Sequence, residues 1–498
     1  MQSGRSKMSD YGECLKKYIK ENGISVRRLS IETEINRTLL QKYLSGDRLP
    51  KSIREVEHIS ECLMLSPEKQ EKLTEEYNKS CYGSKRYESF LMIRDVLNGL
   101  VDFQLDLPPQ TERGSFPAQP GVEQNAPIPG GQACKTCLGA MEVENVLRNI
   151  LEEQKNSGQN KRLEILSQPD AGNLMPIVLS ACVGQETEVE QIVCLDEDSA
   201  EGNNNIRVIY SLLPMLFGNI NHQSYYYYDK KEAHINTMSL LPVLILAGDY
   251  GMVCNSKMDE GLVFWSKESV EFYRRQYQKI KRRTSFLTGY LNDITEWMTF
   301  IRSFVTELST AEICIGATPC LTACLDEAML FKYLRMDEKD NQFVMEALAE
   351  NRSKLTGKGA KRMVNIFSEE GLRHFLETGR SNEYPDSCYT PIDMADRLLI
   401  LERVIEIAEK GIIIYNMTNP LFLNLDRRLL VYINEKIVFQ YHQKNAMSQY
   451  FRINERTVRR GFRDFVEFSR ENRWLCGAEE TIARMKEILS EYRQKSRK

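Results

Sequence analysis

The side chains with the most specific chemical possibilities are Arg37, Thr38, Gln41 and Lys42. At about 100° per residue they share one side of a helix over Arg37–Leu44, away from Leu39, Leu40, Tyr43 and Leu44. Such a row suits the major groove of duplex DNA. Arg and Lys donate to guanine O6 and N7, Gln pairs bidentately with adenine, and Thr meets the thymine methyl. Asn36 and the helix N-terminus behind it suit a phosphate. Arg27, Arg28, Arg48 and Lys51 flank the row and are placed to clamp the backbone. The expected base-reading residues are therefore Arg37, Thr38, Gln41 and Lys42. The expected phosphate contacts are Arg27, Arg28, Asn36, Arg48 and Lys51.

Short helices must hold that row. Ser25 can cap a first helix whose apolar contacts are Leu29 and Ile31. Glu32-Thr33-Glu34 forms the turn, Ile35 packs back, Asn36 caps the second helix, and Gly46 ends it. Flanking helices over 10–22 and 52–64 complete a small core with Leu15, Leu29, Leu40, Val56 and Ile59. The segment Ser25–Ser52 resembles the helix-turn-helix of the λ-repressor/Cro family, often called XRE-like. Leu29, Ile35, Leu40, Gly46 and Pro50 carry the likeness, with a five-helix layout over 10–79, about 70 of 498 residues. Glu34 stands where the family usually has Gly, Ser30 is the small residue after Leu29, and Leu44 replaces a common Glu. The resemblance implies a bacterial DNA-binding transcriptional regulator that acts as a homodimer. It places the family's base-reading positions on Arg37, Thr38 and Lys42, with Gln41 beside them.

Other signals are weaker. Cys134-Lys-Thr-Cys137 is a CxxC, but no second CxxC or HxxxH completes a zinc site. Asn445–Phe468 reads either as a second helix-turn-helix, exposing Arg456, Thr457, Arg459 and Arg460, or as a strand Gln449–Ile453 followed by a capped helix. The β-rich run Leu429–Tyr441 just upstream favours the strand. Tyr225–Tyr228 on a strand would point alternately to opposite faces, which suits packing. No GxSxG, P-loop, HExxH or dinucleotide fingerprint is present, so no enzyme, metal or cofactor is expected.

Composition agrees with a soluble protein: 42% hydrophobic and 27% charged residues, and a net charge of −4. Residues 1–54 hold 12 Lys and Arg against 6 Asp and Glu, which leaves the remainder at −10. A basic head on an acidic body points the head at a polyanion. The longest apolar stretch, Met238–Gly248, is too short to span a membrane and contains Pro242. Thirteen scattered cysteines and no signal-peptide core suggest a cytoplasmic chain.

The expected fold is multidomain. An all-α five-helix helix-turn-helix head with an extra helix covers 1–101, and a flexible Pro/Gly/Gln-rich linker covers 102–139. A mixed α/β sensor domain is expected over 140–268. A helix-rich α+β region over 269–498 follows, with a long helix over Ser269–Phe304 and a small β-hairpin near 429–441. No internal repeat is visible by eye. A loose linker transmits little geometry, so the helix Tyr87–Leu100 is expected to help hold a dimer. The function expected is sequence-specific DNA-binding regulation, with the C-terminal body sensing a small-molecule or peptide ligand or mediating assembly. The alternative is a protein-interaction scaffold, or an enzyme that the helical head localises.

Overall fold

The computed structural model describes residues 10–99, 133–156, 162–168, 171–197, 204–218, 220–229, 241–289, 312–335, 363–383, 389–442 and 449–496, with 342, 344–346, 349, 352 and 386. An N-terminal helical region contains α1 (Asp10–Glu21), α2 (Val26–Glu32), α3 (Arg37–Ser45), α4 (Ile53–Cys62) and α5 (Pro67–Tyr82). Tyr11, Leu15, Leu29, Leu40, Tyr43 and Val56 are fully buried at its centre. Ile31, expected beside Leu29, is instead 71% exposed. The cause is helical phase: Ile31 follows Leu29 by two positions, about 200° around a helix that buries one narrow face.

The body is built on one sheet. Its strands are β1 (Cys134–Leu138), β2 (Arg162–Leu166), β3 (Glu188–Leu195), β4 (His222–Tyr228), β5 (Val243–Ala247), β6 (Tyr250–Cys254) and β7 (Glu260–Phe264). They continue with β8 (Ser285–Gly289), β9 (Ile313–Gly316), β10 (Met363–Phe367), β11 (Ile413–Met417), β12 (Leu429–Ile433), β13 (Ile437–Tyr441) and β14 (Gln449–Ile453). The order across the 14 strands is β1-β7-β6-β5-β2-β3-β4-β8-β14-β13-β12-β9-β10-β11. The regions 140–268 and 269–498, expected as separate units, therefore share a single sheet. The hairpin near 429–441 is present, but it lies deep within that sheet, with β12 against β9 and β13 against β14. The helix expected over Ser269–Phe304 stops at Lys281, and β8 follows it. β8 joins the halves, pairing with β4 on one side and β14 on the other. Residues 290–311 lie outside the described residues.

The body also contains a structural repeat. In the first half β2, β3 and β4 run parallel, β5 lies antiparallel to β2, and β6 and β7 continue antiparallel. In the second half β9, β10 and β11 run parallel, β12 lies antiparallel to β9, and β13 and β14 continue antiparallel. Helix follows the last strand of each unit: α10 (Lys267–Lys281) after β7, and α14 (Arg456–Glu471) after β14. The repeat is one of topology. Its strand sequences, such as VLILA in β5 and LLVYI in β12, share only apolar character.

Both faces of the sheet are covered, which explains strands that are apolar throughout rather than alternating. One core runs across both halves beneath α6 (Ser84–Leu97), α7 (Ala140–Asn156), α8 (Leu174–Cys182), α9 (Asn204–Phe217) and α14. On the opposite face α10 covers the first half. There α11 (Glu327–Tyr333), α12 (Glu369–Thr378), α13 (Met394–Glu409) and α15 (Ala478–Lys495) cover the second. Two buried carboxylates pin α10: Glu164 accepts from Arg274 at 3.1 Å and Gln278 at 2.6 Å, and Glu190 is held by Lys281 and by Arg162 at 2.5 Å.

The junction of head and body differs from expectation. α6 follows α5 through Gly83, whose φ of 83° lets the chain change direction. Tyr87, Phe90, Ile93 and Leu97 of α6 are buried in the body core. The helix expected to support a dimer thus packs on its own chain. The Pro- and Gly-rich stretch comes after α6, so it does not separate head from body. It also ends earlier than 139, because Cys134–Leu138 pairs with β7 as an edge strand. Residues 100–132 lie outside the described residues. In that strand Cys134 is exposed and Cys137 buried. Three positions apart, they point to opposite faces and cannot share one metal ion.

At 449–471 the strand reading holds. β14 runs into α14, and the Glu455 carboxylate caps the helix by accepting from the backbone of Thr457 at 3.0 Å and Val458 at 2.8 Å. Thr457 is buried, so it lies on no exposed reading face. The tyrosine run alternates as expected. Tyr225 meets Phe286 at 5.8 Å, while Tyr226 and Tyr228 touch each other at 5.2 Å.

Candidate nucleic-acid interface

Local chemistry builds the α2–α3 corner. Ser25 Oγ accepts the backbone N–H of Arg28 at 3.2 Å and starts α2. At its end the Thr33 hydroxyl donates to Leu29 O at 2.7 Å. Glu34 takes the left-handed conformation the turn demands, with φ 55°. That costs a residue with a Cβ roughly 1 kcal/mol. The Ser30 hydroxyl donates to Ile35 O at 2.6 Å and ties the turn to α2. Asn36 Oδ1 then accepts Thr38 N–H at 2.8 Å, capping α3, and Gly46 closes it at φ 79°. Asn36→Ala is expected to cost about 1 kcal/mol of head stability by removing that cap. Thermal unfolding of the variant measures it.

α3 buries Leu40 and Tyr43 and leaves its other side open. Arg37, Thr38, Gln41 and Lys42 are all exposed, and so are Arg27, Arg28, Asn36, Arg48 and Lys51. The nine predicted residues thus lie exposed on α2, on α3 and in the segments just before and after α3. They are not equivalent. Arg28 is engaged locally, its Nε donating to Glu32 at 2.8 Å. Asn36 uses its carbonyl oxygen as the cap and keeps its amide N–H groups. Among the described residues no carboxylate lies in ion-pair contact with Arg27, Arg37, Lys42, Arg48 or Lys51.

One organising residue escaped sequence reasoning. The Tyr43 hydroxyl donates to Glu55 Oε1 at 2.9 Å, and Glu55 Oε2 accepts Lys51 N–H at 2.7 Å. Glu55 thereby fixes the loop carrying Arg48 and Lys51 against α3. Burial, reinforced by this carboxylate, pushes the Tyr43 hydroxyl up and keeps it a donor. Nothing in the spacing of Tyr43 and Glu55 announces the contact. A second group of residues fixes the corner to the body. Arg473, just after α14, pairs with Glu57 of α4 at 2.9 Å, and Arg86 of α6 pairs with Asp464 at 2.8 Å. Tyr82 at the end of α5 donates to Glu471.

No family model and no curated protein matches the chain. Solved structures give faint likenesses. TrmBL2, an archaeal chromatin protein described as showing a novel mode of DNA binding, is 10% identical over 44% of this chain and 70% of its own, with a TM-score of 0.23. Phosphatidylserine synthase of Haemophilus influenzae Rd KW20 is 10% identical over 73% of this chain and 93% of its own, with a TM-score of 0.23. Polyphosphate kinase from Porphyromonas gingivalis is 11% identical over 67% of this chain and 50% of its own, with a TM-score of 0.19. Superpositions this poor assign neither a fold nor an activity.

Proposed function

We propose that this chain is a sequence-specific DNA-binding regulator, non-enzymatic and of bacterial type, whose head is a λ-repressor/Cro-like helix-turn-helix. The observation that carries the reading is the exposed row Arg37, Thr38, Gln41 and Lys42 on a capped helix, flanked by Arg27, Arg48 and Lys51, which have no carboxylate in ion-pair contact among the described residues. In the complex α3 enters the major groove. Arg37 and Lys42 donate to guanine, Gln41 pairs with adenine, and Thr38 meets a thymine methyl. The amide of Asn36 and the cations Arg27, Arg48 and Lys51 hold phosphates, and Arg28 joins them when it leaves Glu32. One head makes few contacts, so two copies on half-sites about one helical turn apart are expected. The body supplies assembly or ligand response.

The test is binding of the purified chain to its own upstream DNA, followed by gel shift. Arg37→Ala is expected to lose ~1–3 kcal/mol and to relax preference at one base position. An equal loss on every DNA sequence would contradict base reading. Affinity is also expected to fall steeply with salt as phosphate contacts release counterions. A flat salt response would favour the protein-interaction scaffold.

A further inference from the structure

At the carboxyl ends of β2, β3 and β4 the body opens into a cavity of about 830 Å³. This is where parallel α/β sheets characteristically hold ligands. β5 begins at the same end, because it runs antiparallel to β2. The floor is apolar: Leu166, Ile192, Cys194 and Leu244, with Tyr227 at one wall. Two large apolar side chains stand exposed among the lining residues, Leu241 at 39% and Ile280 at 37%.

The polar groups are placed differently. Gln168, which follows β2, lines the cavity. Lys279 of α10 and Arg283 just beyond it also line the cavity. Their neighbours Arg274 and Lys281 are held by Glu164 and Glu190. Lys279 and Arg283 have no carboxylate in ion-pair contact among the described residues.

The second half offers a contrast. Its cavity of about 790 Å³ lies at the equivalent ends of β10 and β11, beside Ser368 and Thr418. There the cations are already neutralised: Arg484 pairs with Glu369 and Glu487, and Arg373 with Glu369 and Glu491. Of these two cavities, the first-half one combines an apolar floor with two cations that have no carboxylate in ion-pair contact among the described residues.

We propose that this cavity binds a small organic anion, a molecule with an apolar ring or chain and a carboxylate, phosphate or sulfonate. The apolar part lies on Leu166, Ile192 and Leu244. The anionic group meets Lys279 and Arg283, which makes the site selective for negative charge. The site supplies an effector to the regulator reading and rests on that reading only for its consequence at DNA.

The probe is anilinonaphthalenesulfonate, an aromatic anion whose fluorescence rises on burial, titrated into the full chain. Saturable binding of one probe per chain is expected. Lys279→Ala with Arg283→Ala is expected to weaken it at least about tenfold. Arg275→Ala with Arg282→Ala, one exposed cation within α10 and one just after it, neither lining the cavity, is expected to leave it unchanged. The neutral probe N-phenylnaphthylamine is expected to bind all three proteins alike. Equal weakening by both double variants, or no saturable binding, overturns the proposal. All four substituted positions are exposed, so folding is retained. The measurement contains no DNA, so its failure leaves the DNA reading untouched, and failure of DNA binding leaves the cavity untouched.

Discussion

Phe468→Ala is expected to destabilise the chain by about 3–5 kcal/mol, the usual cost of deleting a buried aromatic ring. Phe468 lies on α14 and is almost completely buried. Phe90 of α6 stacks on it at 4.7 Å, and Tyr82, Tyr87 and Trp474 meet it edge-on at 5.3, 5.9 and 4.9 Å. The ring is thus the point at which the end of α5, α6 and the body converge. Its loss should also release the head. Hydrogen exchange is the decisive measurement: amides of α6 are expected to lose protection in the variant while β9 and β12 keep theirs. Arg86→Ala, which breaks only a partly exposed ion pair with Asp464, is expected to cost less than about 1 kcal/mol. If Phe468→Ala leaves α6 protected, the aromatic cluster is not what joins head to body. The joint matters for function because a rigidly docked head can pass a change in the body on to α3, whereas a loosely tethered head passes on little. Such a change requires an effector that binds one arrangement more tightly than the other.

The second large effect is a pH dependence centred on His222. Its side chain is fully buried in β4, with Nε2 3.2 Å from Gln191 Oε1 and Nδ1 without a partner among the described residues. Burial alone pushes the imidazole down from 6.5 to about 4. In the unfolded chain the same ring takes up a proton below about pH 6.5. The unfolded state therefore binds more protons between those values, and stability must fall as the pH drops through that window. The contribution lost by pH 4 is about 3 kcal/mol. His222→Gln removes the titrating group, so the stability difference between wild type and variant should shift by that amount between pH 7 and pH 4. Denaturant unfolding at the two pH values measures it. A difference that stays constant would show that His222 titrates in the folded protein as it does in the unfolded chain.

Much of the local architecture was legible. The caps at Ser25, Asn36 and Gly46 act through hydrogen bonds and backbone preferences that span three or four residues, so residue types and spacing sufficed to place them. The same holds for β14, whose bounds Gln449–Ile453 follow from its own residues and the hairpin before it. Ile31 was misplaced because its apolar character was weighed without its helical phase.

The failures share another cause. Apolar strands such as β5 and β12 announce that they are buried, but not which strand will lie beside them. Pairing is decided by backbone hydrogen bonds between segments far apart in sequence, and every apolar strand satisfies them equally well. Hence the single sheet, the bridging role of β8 and the repeated topology were invisible. The docking of α6 was hidden for the same reason, since Phe90 and Phe468 lie far apart in the sequence. By itself the sequence determined the helices of the head, the turn chemistry and the polar row on α3, because these depend on contacts within a few residues. Tertiary structure alone decided which strands pair, what anchors the head, and which cations are left without counter-charges, because those outcomes depend on groups brought together across hundreds of residues.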